Sequence, residues 1–177
     1  MAGQDARTQH RTRAFVAALC VTATLFVALA AWAILVDRVV AGGAAALVAG
    51  ALLVLAGVLA ARSKDVRARL VVSLSDRVFD GVVLAAVAWA FRTEEPAAAV
   101  GALLALAAGF LAAYVRARGS ALGYMVEESA ATRALRVGLI SAALLAGWVA
   151  WALFAVAAWM LLVTLVRTSQ VAKEERA

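Results

Sequence analysis

In the stretch SLSDRVFDG, residues 73–81, Asp76, Arg77 and Asp80 fall within five positions of an otherwise apolar segment. Residues 76 and 80 are four apart, so on a helix both carboxylates lie on one face. Arg77 stands about 100° away around the axis. Two like charges on one face repel unless something positive bridges them. Three readings fit the residue types. Carboxylates suit a divalent cation and acid–base work, because hard cations take oxygen ligands. They suit equally a structural network in which arginines tie helices together. The third reading places all three residues in the membrane interface, with the span beginning later. A start at Val78 leaves only 14 residues to Phe91, short of the roughly 20 that cross a bilayer core.

A second polar element is AYVRARGSALGYMVEESAATRALRVG, 113–138, which carries Arg116, Arg118, Glu127, Glu128, Arg133 and Arg136. Guanidinium groups match phosphate oxygens in bidentate fashion. Arg116, Arg118, Arg133 and Arg136, on both sides of one short connection, are therefore candidates to hold a phosphate or pyrophosphate. Ordinary orientation charge and contact with anionic lipid explain the same arginines.

The elements that must carry these residues are membrane spans. The 177 residues are 66% hydrophobic with 16% charged, against roughly half apolar for a soluble domain. Apolar runs cover 14–36, 39–61, 70–91, 97–115 and 134–166, and none alternates with the period of a barrel strand. The first run is preceded by basic residues, as in a signal peptide, but its 23 residues exceed a usual signal core and predict a retained helix. The last run has 33 residues, roughly 50 Å as one helix, against a hydrocarbon core of roughly 30 Å. It is either one long tilted helix or two short ones turning within AGWVAW, 146–151.

Charge decides between them. With alternating spans, one side receives Arg7, Arg11, Arg13, Arg62, Lys64, Arg67, Arg69, Arg116, Arg118, Arg133 and Arg136. The other receives only Arg38 and Arg92, beside Asp37, Glu94 and Glu95. The basic tail, with Arg167, Lys173 and Arg176, joins the basic side only if 134–166 crosses twice. The positive-inside rule then puts both ends in the cytoplasm. The sequence predicts an all-α polytopic protein of the inner (plasma) membrane. A short N-terminus, 1–13, leads into one six-helix domain, 14–167, and a charged tail, 168–177. The formal charge of +6 is accounted for by these loops rather than by a nucleic-acid surface. The single cysteine, Cys20, excludes a disulfide within the chain and is read as a small buried hydrophobe. Pro96, the only proline, suits the start of the fourth helix.

The two polar elements together resemble the CDP-alcohol phosphatidyltransferase family, in particular its phosphatidylinositol-phosphate synthase branch. That family has six transmembrane helices and the signature D-x2-D-G-x2-A-R followed by G-x3-D-x3-D, usually continued by Arg and a further Asp. SDRVFDGVVLAAVAW is similar to the continuation, YVRARGSALGY to the segment after helix 4, ATRALRVG to the start of helix 5 and VTLVRTSQVAKE to the exit from helix 6. In that register Asp76 takes the place of the last signature aspartate, but Val72, Ala68, Ala56 and Leu53 stand where the pattern has Asp, Gly, Asp and Asp. LAGVLAAR, 55–62, retains Gly57 and Arg62.

The resemblance implies a cytoplasmic site that transfers a substituted phosphate from CDP-diacylglycerol to an alcohol and releases CMP. Asp76 would be the general base, Asp76 and Asp80 the ligands of Mg²⁺ or Mn²⁺, and the four arginines the phosphate grip. It also implies a homodimer among membrane lipids. The missing aspartates leave a second expectation: a non-catalytic protein on the same scaffold that binds lipid or a partner. A small membrane protein of another class, such as a transporter subunit, is a third.

Overall fold

The computed structural model describes residues 2–63, 65–123 and 130–174. Of the charged positions discussed above, Lys64, Glu127, Glu128 and Arg176 lie outside the described residues, as do the side chains of Arg7, Arg167 and Lys173. Six helices follow one another: α1 (Ala2–Leu35), α2 (Val39–Ser63), α3 (Val66–Ala90), α4 (Pro96–Ala121), α5 (Ala130–Ala146) and α6 (Val149–Glu174). The last apolar run is thus two helices. Gly147 sits between them at φ 75, a left-handed conformation that only glycine takes without strain.

The other connections also have local causes. Asp37, at φ 63, closes the two-helix turn after α1. Asp65 caps α3, its carboxylate accepting from the backbone N–H groups of Arg67 and Ala68 at 2.8 and 3.4 Å. This cap starts α3 four residues before the apolar run does and draws Arg67 and Arg69 into the helix. Pro96 opens α4 at its first position, where its missing N–H costs no helical bond.

Four helical segments are long and apolar enough to cross a membrane: His10–Leu35, Val39–Ser63, Pro96–Ala121 and Val149–Val166. The chain is a polytopic α-helical membrane protein. Its outward surface is apolar along the helices, with Leu25, Leu29, Leu103, Leu161 and Leu165 all exposed. Trp32, Trp89, Trp148 and Trp151 are exposed near one end of the bundle, where α1 and α3 finish and α6 begins. Such rings favour the membrane–water boundary. Asp37, Glu94 and Glu95 share that end, and the arginine-rich ends of the helices form the other.

The packing makes a closed circuit. α2 contacts α3, α3 contacts α4, α4 contacts α6, α6 contacts α5 and α5 returns to α2, while α1 covers α2 and α3 from outside. Small residues set these distances, as expected where lipid gives helices no hydrophobic drive to associate. On α2, Gly43, Gly50 and Gly57 recur every seventh residue on one face. They meet Leu144, Val137 and Arg133 of α5 in turn. A Cβ on Gly43 would stand 2.9 Å from that of Leu144. Across the circuit, α3 and α5 keep every described Cα pair more than 8 Å apart. Side chains, not backbones, bridge that interior.

Candidate functional site: an arginine-lined cavity above a buried ion-pair column

One face of α3 carries Arg69, Ser73, Asp76 and Asp80 at helical spacing, a stripe about 16 Å long running inward from the basic end. Asp65 fixes its start and the burial of Val72, Phe79, Val83 and Val87 fixes its rotation. Apolar burial on neighbouring positions therefore turns two carboxylates inward.

Both carboxylates meet arginines there. Asp76 Oδ2 lies 2.7 Å from Nε of Arg133. Asp80 Oδ2 lies 3.1 Å from Nη1 of Arg77, on its own helix, and 3.1 Å from Nη1 of Arg136 on α5. Arg77 Nη1 also donates to the Gly109 carbonyl of α4 at 2.9 Å. Asp76, Asp80 and Arg136 are each at most 3% exposed. Three guanidinium groups thus surround two carboxylates in the space that separates α3 from α5. This is the arrangement that makes two aspartates on one face tolerable, because each charge is neutralised at contact distance.

Above the column, toward the basic end, lies a cavity of about 620 Å³. Four helices line it: α2 with Gly57, Val58, Ala60, Ala61 and Arg62; α3 with Arg69, Val72 and Ser73; α4 with Ala113, Arg116, Ala117 and Ser120; α5 with Ala130 and Arg133. Each helix contributes one arginine, and no Asp or Glu lines the cavity among the described residues. Arg133 belongs to both layers, lining the cavity while paired to Asp76. Such a concave, partly apolar space with converging polar groups is the usual form of a ligand site, and its sign selects an anion.

The residues singled out in the sequence separate into three places. Arg116 and Arg133 line the cavity. Asp76, Asp80 and Arg136 lie in the column beneath it. Arg118 is exposed outside the lining. Arg62, Arg69, Ser73, Ser120 and Gly57 enter the site without having been picked for it. Arg69 was visible only as orientation charge, whereas Gly57 and Arg62 also match the resembled signature. For Arg69 the further signal was register: 69, 73, 76 and 80 form one stripe on α3.

The same geometry bears on whether a divalent cation could be held. Mg²⁺ and Mn²⁺ want about six oxygens, whereas Asp76 and Asp80 each present Oδ2 to a guanidinium group. Among the described residues no three His, Cys, Asp or Glu side chains come together. A cation here would have to displace Arg133 and Arg136 while keeping their positive charge nearby, so these residues do not fit one. No protein-family model, curated protein or solved structure matches the chain.

Proposed function

We propose that the chain is a six-span protein whose cavity faces the cytoplasm and binds the phosphate or diphosphate of a lipid head group, such as that of CDP-diacylglycerol. One observation carries this reading: four arginines, one from each of four helices, converge on a cavity lined by no described carboxylate. Guanidinium groups in a partly desolvated space bind phosphate more strongly than in water. Ser73 and Ser120 supply hydroxyl donors, and Val58, Ala60 and Ala61 an apolar wall. A volume of about 620 Å³ takes a head group of nucleotide size, since sites of roughly 300–1,000 Å³ hold such ligands. The bundle and the arginine positions accord with the CDP-alcohol phosphatidyltransferase resemblance, and α3 and α5 complete the six spans. Binding without metal-dependent transfer is the reading that the paired carboxylates favour.

A second reading, a diverged phosphatidyltransferase with Asp76 as base, is favoured by one feature. Asp76 lies one turn from Ser73 of the lining, and Arg133 links it to the cavity. One experiment separates the two. Protein in nanodiscs is titrated with CDP-diacylglycerol, and CMP release is followed with Mg²⁺ or Mn²⁺ and a panel of alcohols. Saturable, salt-sensitive binding that Arg116→Gln weakens, with no CMP above an Asp76→Ala control, is the expected result. CMP release lost in Asp76→Ala establishes the transferase instead. Absence of binding by the parent protein refutes both for these ligands.

A further inference from the structure

We propose that Gly57 is a positioning residue for the anion site, acting through Arg133; the inference rests on the cavity reading above. A Cβ built at position 57 would overlap Nη1 of Arg133, and the next nearest atom is Cζ of the same guanidinium at 3.2 Å. Nη1 of the guanidinium therefore points end-on at the α2 backbone, at a point where glycine leaves room for it. Asp76 of α3 takes Nε at 2.7 Å from the other side. Held between a bare backbone and a carboxylate, Arg133 keeps its outer edge for the cavity that it lines. Arg133 is 13% exposed, so its head is fixed by these two neighbours rather than by water.

The rest of the Gly43, Gly50, Gly57 face sharpens the assignment. Gly43 and Gly50 meet apolar side chains, Leu144 and Val137, and let α5 approach α2 as packing. Gly57 alone in that series meets a charged head. At this last position the same spacing that closes two helices has been used to seat a cation. Alanine is the better helix former, so nothing intrinsic to α2 disfavours it; any loss at position 57 must come through Arg133.

The test uses the full chain in nanodiscs and inorganic pyrophosphate as probe, measured by calorimetry for the parent, Gly57→Ala, Arg133→Lys and the double variant. Lysine keeps the charge but has no Nη fork to collide with an alanine methyl. Gly57→Ala is expected to weaken pyrophosphate binding about tenfold or more, the worth of one charged hydrogen-bonded group. In the Arg133→Lys background the same substitution is expected to change affinity less than about threefold, since the two residues act as a coupled pair. Parent-like affinity in Gly57→Ala, or an equal loss in both backgrounds, overturns the assignment while leaving the cavity reading intact. A folded parent that binds no pyrophosphate removes the cavity reading and this assignment with it. Should Gly57→Ala fail to fold, the double variant decides: folding and affinity like those of Arg133→Lys support the assignment, and failure to fold refutes it.

Discussion

Replacing Asp80 with asparagine tests the column most directly. The substitution keeps the shape and removes the Asp80 carboxylate, which meets Arg77 and Arg136 at 3.1 Å each. At an effective dielectric of about 20, a charge pair at that distance is worth about 5 kcal/mol before desolvation is counted. Desolvation has already been suffered by the arginine that stays behind, since Arg136 is 3% exposed. Losing one partner of such a pair therefore costs about 3–5 kcal/mol, although the intact pair adds far less than its Coulomb energy. Cys20 supplies the assay. It is the chain's only cysteine and is 2% exposed, so a thiol-reactive fluorophore reports unfolding as detergent-solubilised protein is titrated with dodecyl sulfate. The Asp80→Asn curve is expected to shift to lower denaturant by the equivalent of about 3 kcal/mol or more. Adding Arg136→Met, which removes one of the two cations that faced the lost carboxylate, should recover part of that loss. A single variant within about 0.5 kcal/mol of the parent, the scatter of an ordinary surface change, would refute the claim that the column holds α3 to α5.

The remaining predictions concern backbone and packing. Gly50→Ala puts a methyl into Val137 of α5 and should cost about 1–3 kcal/mol as overpacking, read from the same thiol assay. Gly109→Ala is its contrast, because a Cβ there finds its nearest atoms, Arg77 Nη1 and Asp80 Oδ2, at 3.6 and 3.7 Å. That is ordinary contact, and a change below about 0.5 kcal/mol is expected. Asp37→Gly relieves a left-handed residue at φ 63 and should raise the unfolding midpoint modestly, by about 0.5–1 kcal/mol. A fall in the midpoint would show that the Asp37 side chain contributes more than the strain it carries.

The sequence disclosed most about helices and least about which faces meet. Charge asymmetry required the last apolar run to turn within 146–151, and Gly147 turns it. Pro96 opens α4 as its sequence context indicates. The start of α3 was read late because hydropathy registers apolar content, whereas a cap at Asp65 lets Val66 to Arg69 join the helix despite two arginines. Two carboxylates on one face correctly announced that cations must face them. Which cations was not legible, because Asp76 and Arg133 are 57 positions apart in the sequence and meet through the packing of α2, α3 and α5. Arg62 and Arg69 illustrate the same limit. Positive charge at a membrane boundary carries orientation whether or not it also lines a cavity, and only the circuit of helices separates the two uses.

The gap between α3 and α5 also bears on how the chain is made. On the six-span reading proposed above, α3 and α5 are themselves inserted, and each ionised group at the centre of a span costs about 2.5–3.5 kcal/mol to insert by biological scales. α3 neutralises part of its own burden through the Arg77–Asp80 contact, which needs no other helix, but Asp76 finds Arg133 only after α4 and α5 have been synthesised. α5, 17 residues long and carrying Arg133 and Arg136, has the complementary need. Neither segment can be released singly into lipid at low cost. The third helix has to wait beside the insertion machinery, or at the wet edge of the bilayer, for the fifth to arrive. Biogenesis is thereby coupled across an intervening span, and a ribosome stalled between α4 and α5 should leave a chain whose third helix remains accessible from water.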